Sequence, residues 1–232
     1  MAFDPTKFKA PKAKKLPVIL LLDVSGSMAD NHKIETLYDS VTTMLRTFVE
    51  AHVKEKTIDV AIITFGDEVL LHTPYTPARD LQKAGVNQFR AYGCTPMGTA
   101  LKMAKEMIDD KETTPTGNYR PAVVLVSDGQ PNDSWEQPLD DFIREGRSAK
   151  CQRFAVAIGA DADRNILRKF CGSDETLFYA ERSADLIDAF KQISMSVSIR
   201  LASPDSKQEP TPSGAGFDNN KNQDDNDDYA FL

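Results

Sequence analysis

The chain is expected to fold as a doubly wound α/β domain: a mostly parallel sheet with helices on both faces and one antiparallel edge strand. Two observations predict this. Continuous apolar runs recur along the sequence, as in "PVILLLD", "TIDVAIITF" and "AVVLVSD", and a strand that lacks polar alternation is one covered on both faces. Between these runs the apolar residues return every three to four positions, the period of an amphipathic helix. Strand and helix alternating in this way imply β-α-β units.

Taken in order, the run beginning at Leu16 forms the first strand and ends abruptly at Asp23. From about Asp30 the period changes, and Ile34, Leu37, Val41, Leu45 and Phe48 form a helical stripe. "TIDVAIITF" is the second buried strand. "EVLLHTPY" is shorter and bounded by polar residues, which suits an edge, and a loop is expected from there to Gly93. Met97, Leu101, Ala104 and Ile108 mark the second helix. Thr95 is placed at its N-cap, because Pro96 suits the first helical position. Pro115, Gly117 and Pro121 break the chain before "AVVLVSD". Then follow a helix in "DDFIREGRSAK", a strand in "RFAVAIG", a short helix in "DRNILRKF" and a strand in "TLFYA". A last helix in "SADLIDAFKQISMSVSI" carries the stripe Leu186, Ile187, Phe190, Ile193 and Val197.

Composition limits the function. The 232 residues carry a formal net charge of −7, which gives nucleic-acid binding no electrostatic support. Cys94, Cys151 and Cys171 are too few and too scattered for a disulfide framework or a zinc site, and a reducing, cytoplasmic setting is expected. The apolar run from Leu16 falls far short of the ~20 residues that span a bilayer. The charge is uneven. Residues 1–15 hold five lysines against Asp4, while the stretch after Ala202 holds two lysines against seven acids. That stretch is too poor in apolar residues to fold alone. The expected organisation is a basic arm at 1–15, one domain at 16–201 and an acidic tail at 202–232. The tail's apolar ending, "DDYAFL", reads equally as a short interaction motif or as the end of a plain solubility tail.

Three segments carry the chemistry. In open α/β sheets, ligands bind beyond the carboxyl ends of the strands. "DVSGS" follows the first strand, and "SDGQPND" places Asp128 where Asp23 stands after its own strand. "GCTPMGTAL" offers Thr95 between them. Asp23 with two serines alone reads equally as a turn, a catalytic acid or a metal seat. The three segments together bring two carboxylates and three hydroxyls to one edge of the sheet. These are hard oxygen donors with no nearby Cys or His pair, which points to Mg²⁺ rather than zinc or copper, with Mn²⁺ or Ca²⁺ as the other oxygen-seeking ions. Few protein charges leave the shell incomplete, so the site invites a carboxylate from elsewhere.

"DVSGSM", "TPMGTAL" and "SDGQPND", in this order and spacing, resemble the metal-ion-dependent adhesion site of von Willebrand factor A domains, and the resemblance covers nearly all of 16–201. It implies a Rossmann-like fold. It also implies metal contacts from Ser25, Ser27 and Thr95, with Asp23 and Asp128 acting directly or through water, and a partner protein's acidic side chain completing the shell. Cys94 stands where many members have glycine. Within the family, "LPVILLLDVSGSM" and "LVSDGQPND" are most similar to bacterial tellurium-resistance-associated proteins. That similarity implies an interaction module of a stress or phage response, with a kinase-like protein and a phosphatase as partners.

The competing reading is a haloacid-dehalogenase-type phosphotransferase using Asp23. That chemistry needs a second acid two residues on as general acid, and the position holds Ser25. No P-loop lysine motif or G-x-S-x-G elbow is present, so no catalytic residue is assigned. Asp133 reads as a loop acid. His32, His52 and His72 read as solvated or packed. Trp135, just past Asp128, reads equally as a packing residue or a binding anchor.

Overall fold

The computed structural model describes residues 14–51 and 56–202. Six strands form one sheet: β1 (Lys15–Asp23), β2 (Thr57–Phe65), β3 (Val69–Pro77), β4 (Ala122–Ser127), β5 (Gln152–Ile158) and β6 (Leu177–Ala180). Their order is β3-β2-β1-β4-β5-β6, with β3 alone antiparallel, paired to β2 at the edge. The fold class is the one the apolar runs predict. The helices are α1 (Lys33–Glu50), α2 (Ala78–Ala84), α3 (Met97–Asp109), α4 (Glu136–Arg144), α5 (Arg164–Cys171) and α6 (Ser183–Ala202).

The apolar runs fill both faces of the sheet. Leu16, Val18, Leu20 and Leu22 face one layer, where Leu37 and Val41 of α1 meet Phe190 and Ile193 of α6. Ile19 and Leu21 face the other, with Leu101 and Ala104 of α3, Phe142 of α4 and Phe170 of α5. Every β1 residue from Leu16 to Asp23 is buried, which is why this strand cannot alternate.

β1 pairs with β2 from Lys15↔Thr57 to Asp23↔Phe65, and with β4 from Val18↔Ala122 to Leu22↔Val126. From β1 the chain builds outward to β2 and β3 on one side, and β4 starts the other side. The strand order therefore reverses between β1 and β4, and a crevice opens past their carboxyl ends. Asp23 and Asp128 leave those two ends.

Four local expectations change. Ala78–Ala84 is a helix rather than loop; its buried residues are only Ala78 and Leu81, too short a stripe to show a period, and Gly85 ends it at φ 79°. The helix expected in "DDFIREGRSAK" begins earlier, at Glu136, and stops at Arg144; Gly146 turns at φ 65° before a separate 3₁₀ turn at Ser148–Lys150. The first helix begins at Lys33, after a 3₁₀ segment over Gly26–His32. Thr95 is not the N-cap of α3. Pro96 holds that place, with no side-chain cap of its own, and the capping group comes from a distant loop described below.

Residues 1–13, His52 and residues 203–232 lie outside the described residues, and with them most of the basic arm and the tail's apolar ending. Among the described residues no helix is long and apolar enough to cross a membrane.

Candidate functional site

Asp23 ends β1 fully buried. Its Oδ1 accepts the backbone N–H of Ser25 at 2.9 Å, and its Oδ2 accepts the Ser127 hydroxyl at 2.6 Å. Ser127 ends β4 beside it, one step past the Leu22↔Val126 pair. Burial pushes the Asp23 carboxyl up to about 6; the hydrogen bonds from Ser127 and Ser25 pull the other way, and the negative charge of Asp128 adds to the rise.

Asp128 is also buried. Its Oδ1 accepts the Ser27 hydroxyl at 2.8 Å. The Ser25 and Ser27 hydroxyls lie 3.1 Å apart. Ser27 has one proton and gives it to Asp128, so Ser25 is the donor between them. The two acids thus belong to one hydrogen-bonded chain, through the Ser25 amide and the Ser25 and Ser27 hydroxyls, across loops about a hundred residues apart in sequence. Asp23 and Asp128 form the buried floor, and exposed Ser27 forms the mouth.

Thr95 is buried at the same edge. Its N–H donates to Asn132 Oδ1 at 3.0 Å, and its carbonyl accepts the N–H of Asn132 at 3.1 Å. A Cβ placed on Gly129, next to Asp128, would lie 3.9 Å from the Thr95 hydroxyl. Asp133 then caps α3 from outside the helix. Its Oδ1 accepts the N–H of Gly98 at 2.9 Å, and its Oδ2 accepts the N–H and hydroxyl of Thr99 at 2.8 and 2.9 Å. These are amides a helix start otherwise leaves open. Gly98 permits the approach, since a Cβ there would sit 2.6 Å from the Ser134 carbonyl oxygen. The first segment is tied in as well: Gly26 N–H donates to the Gly93 carbonyl at 3.0 Å and Tyr92 N–H to the Val24 carbonyl at 2.8 Å. All five sequence-predicted residues therefore come to one pole of the sheet.

Four further residues at this pole were not singled out by chemistry in the sequence. Ser127, Asn132 and Asp133 sit inside "SDGQPND" or next to Asp128, so the motif itself was the signal. Lys33 had none. Its ammonium donates to Asp128 Oδ2 at 2.7 Å, with Asp128 wholly inside and the lysine side chain 20% exposed. Among the described residues, no three or more His, Cys, Asp and Glu side chains gather as metal ligands, so an ion at this pole would depend on hydroxyl oxygens as much as on acids.

The remaining candidates separate by environment. Trp135 packs against the α3–α5 core layer, as its packing reading expects. His32 is exposed. His72 stacks edge-on to Phe89 at 5.2 Å, and burial holds its imidazole below the usual value. Cys94 is an exposed free thiol.

A doubly wound sheet whose switch-point crevice gathers carboxylate and hydroxyl oxygens defines the class of α/β domain. The family model for the von Willebrand factor type A domain matches residues 18–192, and the chain belongs to that family. Among curated proteins it is 24% identical over 195 residues to the collagen alpha-5(VI) chain of Mus musculus; the match takes in 82% of this chain and 7% of that one. Solved structures share the fold. A von Willebrand factor type A protein from Catenulispora acidiphila matches at TM-score 0.64 and 18% identity, over 80% of this chain and 43% of that one. Proximal thread matrix protein 1 from the mussel byssus, in a form described as having a zinc-occupied MIDAS motif, matches at 0.64 and 18%, over 80% and 48%. The pilus adhesin SpaC of Lactobacillus rhamnosus GG matches at 0.65 and 14%, over 80% and 31%. The chain thus spans less than half the length of each of these relatives.

Proposed function

We propose that this protein is a metal-dependent protein-interaction module. Asp23, Ser25, Ser27, Thr95 and Asp128 hold one divalent ion, and an acidic side chain of a partner protein completes its shell. The observation that carries the reading is the pair of buried carboxylates at the switch point, joined through Ser25 and Ser27, with Ser127 on the other oxygen of Asp23. Lys33 balances one of the two buried acids; the second is costly without a further cation, and the oxygen donors fit Mg²⁺ first, with Mn²⁺ or Ca²⁺ as alternatives. The zinc-occupied motif of the mussel relative is consistent with a divalent ion at this place in the fold. When bound, the ion supplies an open coordination position for a carboxylate oxygen. The chain's own residues do the rest. Ser127 and the Ser25 amide fix Asp23, Ser27 orients Asp128, and Asp133 anchors the helix start that presents Thr95.

Nothing in this arrangement favours phosphotransfer. Asp23 is fully buried with both oxygens engaged, and a nucleophile has to reach its phosphorus atom. Residue 25 offers a hydroxyl where that chemistry needs an acid. The finer reading rests on the resemblance: a cytoplasmic bacterial module of the tellurium-resistance or phage-response type, with a kinase-like protein and a phosphatase as partners.

Calorimetric titration of Mg²⁺ and Mn²⁺ tests the ion. One site is expected in the parent and none in Asp23→Ala; equal binding by both removes the site. Thr95→Ala is expected to weaken the ion about tenfold (~1.4 kcal/mol) with an unchanged melting temperature, since the hydroxyl caps nothing. Affinity capture with and without chelator then asks whether a kinase-like protein or a phosphatase is held through the ion.

A further inference from the structure

We propose that Lys33 is a built-in competitor of the divalent ion, a protein cation that sets how tightly the site holds metal. The inference rests on the metal-site reading above. Three observations support it.

The first is the contact. The Lys33 ammonium lies 2.7 Å from Asp128 Oδ2 and 3.4 Å from the Ser27 carbonyl oxygen. It therefore stands against two of the segments proposed to hold the ion, and it takes the one Asp128 oxygen that Ser27 leaves free.

The second is the position. Lys33 is the first residue of α1, where the helix dipole presents its positive end and a cation is disfavoured. Helix formation does not ask for a lysine there; the carboxylate across the crevice does.

The third is the backbone that leads to it. Asn31 and His32 both adopt left-handed conformations, φ 53° and 57°, the only non-glycine residues with positive φ among the described residues. Such a pair carries a steric cost, for histidine more than for asparagine. The turn they make breaks the 3₁₀ segment and starts α1 with Lys33 toward Asp128. The His32 side chain is exposed, so its own contacts do not account for the turn.

The consequence is electrostatic. With the Lys33 ammonium, the Asp23–Asp128 pair carries a formal charge of −1 instead of −2. A divalent ion bound at Asp128 either meets the ammonium at close range or displaces it into solvent, which the lysine's partial exposure permits. Both routes weaken the ion, and both are relieved when the positive charge is removed.

The test is Mn²⁺ titration of the full chain by calorimetry, with Lys33→Met, Lys33→Gln and Lys33→Arg beside the parent and Asp23→Ala. Glutamine keeps a donor for Asp128 without the charge, and it carries the test if the methionine variant fails to fold. Removing a unit charge a few ångströms from a divalent ion is expected to tighten binding by about tenfold or more in Lys33→Gln and Lys33→Met. Lys33→Arg should stay within about threefold of the parent, because the charge is kept. Glutamine and parent binding alike, or arginine tightening as much as glutamine, would overturn the inference. A parent that binds while Asp23→Ala does not, with all Lys33 variants equal to the parent, removes the role of Lys33 and leaves the metal site standing. No binding in any variant removes both.

Discussion

Two buried aspartates sit at opposite ends of the sheet, each with a lysine, and they differ in what surrounds them. At the amino end, Asp59 of β2 meets Lys15 at 2.6 Å; its other oxygen has no hydrogen-bond partner among the described residues, and the lysine side chain is 47% exposed. One acid and one base make a neutral pair, and among the described residues no hydroxyl donates to Asp59. At the carboxyl end, Asp128 meets Lys33 at 2.7 Å, but Asp23 is tied to it through the Ser25 amide and the Ser25 and Ser27 hydroxyls, and Ser127 holds the other oxygen of Asp23. The ion pair is the same; the surplus acid and the hydroxyls are not. An acid–lysine pair on a strand is ordinary architecture, and the proposed cation site rests on the uncompensated second carboxylate.

The sharpest way to break that contrast is ion binding itself. Asp128→Ala is expected to abolish the calorimetric Mn²⁺ signal, whereas Asp59→Ala leaves the affinity within about threefold of the parent, since its charge is a sheet's length away and screened. A comparable loss in both variants would mean that the two poles are not distinct.

Asp23→Asn sharpens it through pH. A raised carboxyl pKa means that the folded protein holds the proton more tightly than the unfolded chain does. Stability therefore falls as pH rises from 3.8 to about 6, and the full penalty is present above that. The amide keeps both hydrogen bonds, accepting from Ser25 and donating to Ser127. In chelator at pH 7.5 the variant is expected to be more stable by up to ~3 kcal/mol, with the difference gone below pH 4 in thermal melts. A variant that melts lower than the parent at pH 7.5 would show that Asp23 is not held at a cost. The same proton competes with the ion, so affinity for Mn²⁺ in the parent should weaken as pH falls through about 6.

A smaller effect comes from the cap that joins the second and third loops. Asp133→Ala opens the amides of Gly98 and Thr99 and is expected to cost ~1–2 kcal/mol, read as a fall in denaturation midpoint at constant slope. Mn²⁺ binding should weaken with it, because Thr95 is presented by the same helix start. An unchanged midpoint would mean that α3 starts without help.

The smallest is at the amino pole. Lys15→Met removes a half-exposed partner of Asp59, and pairs of that exposure contribute ~0–1 kcal/mol. A small loss in chemical denaturation with no change in Mn²⁺ affinity is expected. A shift in affinity would tie the two poles together.

The contrast also separates what each level of description can decide. The strands, the stripes of α1, α3 and α6 and the antiparallel edge were readable because burial on both faces demands unbroken apolar runs and burial on one demands a period. The convergence of Asp23, Ser25, Ser27, Thr95 and Asp128 at one pole was readable because each stands at a strand end or helix start within a short motif. Helix α2 escaped because two buried residues make no period. The cap of α3 was misassigned to Thr95 because the sequence shows only the local candidate, while Asp133 arrives from 35 residues away. Lys33 and Asp128 are 95 residues apart, and neither residue advertises the other. Local sequence determines the elements and the oxygen-bearing residues at their ends, since those depend on near neighbours along the chain. The charge at the site is set by which loops meet when β1 and β4 pair, and only the tertiary structure decides that.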